Sequence, residues 1–171
     1  MTRLRAPQLG DAAVLDRQND GPAESGEFSW FGFRRSDHFA ERITSSAVMR
    51  EDGGMLTVVG DADDDVLGDV SWHRVLNGPP PNGHCWNVGV WIAPDARSKG
   101  HGSEAQRLLV AYLFEHTFLE RVEASTETGN LAEQRALEKA GFTREGVLRR
   151  ACFRGGAWRD MVIFSKLRGE A

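Results

Sequence analysis

The stretch Ile92-Ala-Pro-Asp-Ala-Arg97-Ser98-Lys99-Gly100-His101-Gly102-Ser103 joins two segments of different hydrophobic period. Before it, Cys85-Trp-Asn-Val-Gly-Val-Trp-Ile92 is rich in β-branched and aromatic residues and reads as a strand that ends at Pro94. After it, Ala105, Leu108, Leu109 and Tyr112 fall at i, i+3, i+4 and i+7, one face of a helix running from about Gly102 to His116. Arg121-Val-Glu-Ala-Ser-Thr126 follows as a second strand. Strand, Gly-rich loop, helix and strand make a crossover unit, whose two strands lie parallel and whose hand is right.

Outward from this unit the chain alternates short elements. A second helix is expected over Leu131–Ala140, burying Ala132, Ala136, Leu137 and Ala140, with Gly141 as its C′ residue. Thr143–Phe153 and Trp158–Leu167 flank Gly155-Gly156 as a hairpin. Upstream, Met55–Gly60 and Val66–Val75 are β-type runs joined by the acidic turn Asp61–Asp65. That turn lacks the glycine and distal glutamate of a calcium loop. Asn77–Gly83 is a Pro/Gly loop, Asp11–Asp16 can open a helix, and Ser36–Arg50 is a helix candidate with Ser36 as N-cap and Phe39, Ile43 and Ala47 on one face. The expected fold class is α/β of the α+β type: a mixed, mostly antiparallel sheet of about six or seven strands, flanking helices and one parallel βαβ crossover, in a single domain over residues 1–171.

At 171 residues, 40% apolar and 27% charged, the chain can bury a core without metal or disulfide staples. Cys85 and Cys152 form no spacing motif, so no metal is expected and a reducing cytoplasm is the expected compartment. No long apolar run suggests a membrane span, and Met1-Thr-Arg-Leu-Arg-Ala-Pro has no signal-like apolar core. The net charge of −4 disfavours a nucleic-acid partner. Charge is uneven, however: from Gly141 onward seven basic residues face three acidic ones, leaving −8 on residues 1–140. Solvated strand faces account for this as readily as function does.

A Gly-rich loop between a strand and a helix lets a ligand approach the backbone closely, and the first N–H groups of the helix lack internal partners. With the helix dipole and the cations Arg97 and Lys99, the loop is an anion site suited to phosphate, unless its glycines serve a tight turn alone. A P-loop pattern is absent. Gly100-His-Gly102-Ser-Glu-Ala105 fits a relaxed dinucleotide pattern, but seven residues separate the strand end from its first glycine and the surrounding units are not repeated βαβ.

The order Val90-Trp91-Ile92, then Arg97-x-x-Gly100-x-Gly102-Ser103, resembles the acetyl-CoA pyrophosphate loop of the GNAT acetyltransferase superfamily. Downstream, Asn130-Leu-Ala-Glu-Gln-Arg135-Ala-Leu-Glu138-Lys139-Ala-Gly141-Phe142 and Arg144-Glu-Gly146-Val-Leu-Arg149 are similar to the branch of ribosomal-protein alanine N-acetyltransferases. The resemblance covers Cys85–Leu167 well and the first ~50 residues poorly. It implies acetyl-CoA as cosubstrate, with no metal, in a V-shaped gap between the strands ending near Ile92 and Thr126. It further implies pantetheine pairing along Val90, Trp91 and Ile92, pyrophosphate on Arg97, Ser98, Lys99, Gly100, His101, Gly102 and Ser103, and Asn130 and Arg135 on the CoA side. Asn130 is equally a helix N-cap completed by Glu133, and Arg135 a partner for Glu138.

Acetyl transfer to an amine needs a group that takes a proton near the thioester. The resemblance implies a serine acid where Glu133 stands and a carboxylate where Cys152 stands, so neither role carries over. Glu133, Glu123 and His84 are the remaining catalytic candidates, each with a structural alternative as cap, ion-pair partner or surface residue. Trp30, Phe31 and Trp86 are candidate substrate contacts, or else core. The implied partners are acetyl-CoA and an amine, either a protein N-terminus or a small amine metabolite, attacking directly in a ternary complex. A monomer or homodimer is expected. A GNAT-fold module that binds acyl-CoA without turnover is the alternative.

Overall fold

The computed structural model describes residues 1–170 except 34, 36, 46, 47, 63, 64 and 80–82. The expected N-cap Ser36 and apolar Ala47, with parts of the 61–65 and 77–83 loops, therefore lie outside the described residues. The strands are β1 (Arg3–Arg5), β2 (Met49–Arg50), β3 (Gly53–Val59), β4 (Val66–Leu76), β5 (His84–Ile92), β6 (Arg121–Glu127), β7 (Thr143–Arg154) and β8 (Ala157–Leu167). The α-helices are α1 (Ala12–Leu15), α2 (Pro22–Ser25), α3 (His38–Thr44), α4 (His101–His116) and α5 (Leu131–Lys139). The strands form one sheet in the order β1-β3-β4-β5-β6-β8-β7, with β2 added on β3. Every pairing is antiparallel except β5–β6, the pair joined through α4.

That parallel pair positions the site. β5 and β6 are in register only at Trp86↔Val122 and Asn87↔Glu123, although β5 continues to Ile92 and β6 to Glu127. Beyond Asn87, β5 is held by β4 alone and β6 by β8 alone, so the sheet splits into two arms with a wedge between them. Backbone groups on the inner edge of an unpaired strand need other partners.

The period-2 alternation of β4 and β5 divides their side chains between two cores. Val70, Trp72, Trp86, Val88 and Ile92 pack with Leu109 and Leu113 of α4 and with Leu137, Phe142 and Phe164. On the opposite face Met55 and Trp91 pack with Ala12, Leu15 and Phe39 of the N-terminal helices. Helix α5 closes as expected: Gly141 sits at φ +87, and the N–H of Phe142 reaches back to the Leu137 carbonyl. Ala132 is exposed and Ala136 only half-buried, so the apolar face of α5 narrows to Leu137 and Ala140.

The N-terminal half departs from its reading. The segment read as one helix to Arg50 stops at Thr44, where the hydroxyls of Thr44 and Ser45 donate to the Glu41 carbonyl and compete with the helical ladder. Met49 and Arg50 instead pair with Gly54 and Gly53 in a hairpin, which Arg50 braces by an ion pair to Asp52 at 2.7 Å. The short strand Arg-Leu-Arg of β1 shows too little apolar alternation to be read as a strand, yet it pairs with Thr57–Val59.

Candidate functional site

The Gly-rich loop leaves β5 through a 3-10 turn at Pro94–Ala96 and reverses through two left-handed residues, Ser98 at φ +62 and Gly100 at φ +87. Gly100 is the N-cap of α4, and no side chain caps the helix; the first intrahelical bond is Glu104 N to the Gly100 carbonyl at 3.2 Å. The N–H groups of His101, Gly102 and Ser103 thus open the helix as uncapped donors at its positive end. Arg97 does not reach outward: its Nε donates to the Ile92 carbonyl at 2.8 Å, and its guanidinium also meets the Glu24 carbonyl. Trp91 Nε1 donates to the same Glu24 carbonyl at 2.9 Å, so α2 is fastened to the end of β5. Lys99 turns back onto the Asp95 carbonyl, and His101 Nδ1 meets Thr2 Oγ1 at 2.9 Å.

In front of this loop, the wedge between β5 and β6 opens into a cavity of about 460 Å³. One wall is Val90, Trp91 and Ile92 with Arg97, Ser98, Gly100, Gly102 and Ser103; the other is the N-terminal part of α5, with Asn130, Glu133 and Arg135. Lys99 and His101 are not among the lining residues. Lys139, one turn beyond Arg135, is, and its i+4 spacing from Arg135 was the sequence signal that could have found it. No ion pair joins Arg135 to Glu138 among the described residues, so both α5 cations face the cavity unpaired.

Glu133 does not complete the cap expected of it. Asn130 alone caps α5, accepting from the Glu133 N–H at 3.3 Å while its own amide donates to Thr126 Oγ1 at 2.9 Å. The Glu133 carboxyl turns across to α4 and accepts from Gln106 Nε2 at 2.7 Å. Burial with only this amide for company pushes Glu133 up to about 7.

A second cavity, of about 180 Å³, lies on the other face of β5 and shares Ser25, Ser29, Val90 and Trp91 with the first. Trp30 and Phe31 line it, and its floor carries Asp69 of β4, opposite Trp91. Asp69 is only 6% exposed and accepts from Gln18 Nε2 at 2.9 Å. Burial raises it to about 6, against the Gln18 hydrogen bond and the charge of Arg42. Sequence reading missed Asp69. Its one signal was an acidic residue in the buried first half of a strand, between Leu67 and Val70.

The model of the acetyltransferase (GNAT) domain family matches residues 2–143 of this chain. The chain belongs to the GNAT family. It is 34% identical over 106 residues to "Probable N-acetyltransferase YjcK" of Bacillus subtilis, covering 62% of this chain and 57% of the relative. "Putative ribosomal N-acetyltransferase YdaF" of the same organism is 35% identical over 83 residues, 48% of this chain and 45% of that one. The chain thus spans about half the length of the curated relatives it matches. Among solved structures, Mycobacterium smegmatis RimJ in complex with CoA-disulfide superposes with a TM-score of 0.80 at 20% identity, over 99% of this chain and 83% of that one.

Within this GNAT chain, three sequence candidates lie away from both cavities. Glu123 is at the joined end of β5–β6, buried, accepting from Arg121 Nε at 2.7 Å and Asn77 Nδ2 at 3.1 Å. His84 begins β5 at the same end. Trp86 points into the main core, with Arg74 over its ring at 5.9 Å. Even numbering put Trp86 on the face opposite Trp91, which pleat alternation alone could have told. Phe31 is 56% exposed and Trp30 half-buried, so this aromatic cluster stands over the second cavity and not in a core.

Proposed function

We propose that this GNAT chain is an acetyl-CoA-dependent N-acetyltransferase, moving the acetyl group to a primary amine by direct attack in a ternary complex. One observation carries the reading: the two cavities meet at Val90 and Trp91, so a thioester on the inner edge of β5 and an amine beside Asp69 share one strand.

The residues present fit acetyl-CoA. Three uncapped helix N–H groups and the left-handed Ser98 and Gly100 suit a pyrophosphate, and Arg135 and Lys139 supply unpaired cations at its rim. Val90–Ile92 offer an unpaired strand edge to the pantetheine arm and an N–H to the thioester oxygen as it gains charge. When bound, acetyl-CoA supplies the activated acyl group. Asp69, ionised at neutral pH, holds the ammonium and takes one proton, which frees the nitrogen lone pair to attack. The carbon–nitrogen bond forms, the nitrogen sheds its second proton to water, and the carbon–sulfur bond breaks as Glu133 in its acid form gives a proton to the departing sulfur. Burial raises both carboxyls toward neutrality, where each can exchange a proton during turnover. The free thiols Cys85 and Cys152 support a reducing cytoplasm as the compartment.

A thiol-release assay with a broad amine panel tests the proposal, with mass spectrometry of the acceptor. CoA release in step with acetylated amine is expected. Binding of acetyl-CoA with no thiol released by any amine would instead favour a non-catalytic acyl-CoA-binding module.

A further inference from the structure

Helix α4 buries Ala105, Gln106, Leu109, Val110 and Leu113, and Gln106 is the polar residue among them. It is 1% exposed, on a helix whose other buried side chains belong to the main core. Its amide is half used. Nε2 donates to Glu133 Oε1 at 2.7 Å, while the Oε1 of Gln106 is buried with no hydrogen-bond partner among the described residues. A buried orphan oxygen costs stability, and an apolar side chain of the same length would avoid that cost. Packing alone therefore gives no reason for a glutamine at this position.

The other end of the bond shows what the amide does. Glu133 lines the first cavity, and among the described residues Gln106 is the one group that hydrogen-bonds its carboxyl. Glu27, Arg97, Arg135 and Lys139 are the charged groups that line the same cavity, and none of them bonds the Glu133 carboxyl among the described residues. An N–H donated to Oε1 disfavours a proton on that oxygen, so the acid form carries its proton on Oε2. When Oε2 passes that proton to a departing sulfur, negative charge spreads onto Oε1, where the N–H already points. Turned over, the amide would set its oxygen against Glu133 and draw the acid proton toward the buried amide.

Resting on the reading of Glu133 as the acid, we propose that Gln106 is a positioning residue for acetyl transfer, which by donating to Oε1 of Glu133 keeps the acid proton on Oε2 and stabilises the carboxylate left when that proton goes to the sulfur. Glu133 regains a proton from water before the next turnover, and the amide stays as it is throughout. The orphaned oxygen in the core is the cost of keeping a donor aimed at the acid.

The test is the pH profile of Gln106→Met, alone and combined with Glu133→Gln. Gln106→Met should lower kcat roughly tenfold, as the loss of one hydrogen bond to a charged group allows, with KM for acetyl-CoA within about twofold. The N–H favours the ionised carboxyl, so its removal should move the alkaline limb of kcat above about 7, and the rate falls although more of the acid form is present. In the Glu133→Gln background the same substitution should leave kcat unchanged. An unchanged kcat and limb in Gln106→Met would overturn the proposal, as would an equal loss in both backgrounds. A measurement on the wild-type protein needs no variant at position 106 to fold: the side-chain amide signals of Gln106 in nitrogen-15 NMR should shift with pH around a midpoint near about 7, and should be flat in Glu133→Gln. Signals flat in the wild-type protein would also overturn it. Each of these failures leaves Glu133 as the acid, whereas a Glu133→Gln protein with wild-type kcat and alkaline limb would remove the acid and the proposal together.

Discussion

The two ends of the β5–β6 pair treat their carboxylates in opposite ways. At the joined end Arg121 donates to Glu123 and Glu145, each at 2.7 Å, while Asn77 and Ser165 add further hydrogen bonds. Arg121 holds Glu145 down at about 2. At the split end Asp69 and Glu133 each have one amide, Gln18 and Gln106, and no cation within ion-pair distance among the described residues. Burial then dominates and both rise, to about 6 and about 7. A carboxylate given a guanidinium is part of the frame. One buried with only an amide changes protonation near neutrality, and here both such groups line the cavities where the sheet opens.

The sharpest way to break this comparison is Asp69→Asn, which keeps an oxygen for Gln18 and removes the proton acceptor. We expect kcat to fall by about 10²- to 10⁴-fold. The wild-type rate should rise with pH through about 6, as Asp69 ionises, and fall above about 7, as Glu133 loses its proton. Asp69→Asn should erase the acid limb and Glu133→Gln the alkaline one. Stability should move the other way. The folded-state pKa of Asp69 is raised, so the folded protein holds the extra proton between about 4 and about 6, and stability falls as pH rises through that window. Asp69→Asn removes this cost and should stabilise the protein at pH 8 by about 1–3 kcal/mol in urea unfolding. A variant both less active and less stable would make Asp69 an ordinary core residue.

At the joined end the expectations invert. Glu123→Ala strips Arg121 of its buried partner and should cost about 3 kcal/mol of unfolding free energy, with kcat of the remaining folded protein unchanged. A loss of turnover at full stability would move Glu123 into the chemistry. The smallest effect is expected at Cys152, which lies on β7 opposite Arg159 and lines none of the described cavities. Cys152→Ala should leave turnover within about twofold, with sequential kinetics. An acetyl adduct on the wild-type protein, lost together with activity in the variant, would point to transfer through the thiol.

How much of this was legible in the sequence follows the range of the interactions. The crossover unit could be read because its signals are local: Pro94 and the glycines stop β5, a 3.6-residue period marks α4, and Gly141 ends α5. Several loop residues read from the sequence line the first cavity, though Arg97 and Lys99 turned out to bond backbone carbonyls, while Lys139 was overlooked. Glu133 was found, but its partner was assigned to its own helix when it is Gln106, 27 residues away. Asp69 was invisible for the same reason: its surroundings are Gln18, Arg42, Trp91 and Trp30, brought together from four separate segments. The helix read through Arg50 failed because the hydroxyl back-bonds at Thr44 and Ser45 and the pairing with Gly53 and Gly54 outweigh helical periodicity.

The central claim is that the split between β5 and β6 is an acetyl-CoA site built on the backbone of the Gly-rich loop. Calorimetric titration of acetyl-CoA into the wild-type protein and Gly102→Val tests it most directly. Gly102 is helical, and a Cβ there would meet only Ile92 Cγ1 at 3.7 Å, so the variant should fold normally. The added branch occupies the space in front of the uncapped N–H groups, and affinity should fall by about tenfold or more. An unchanged affinity in a folded Gly102→Val protein would contradict the assignment.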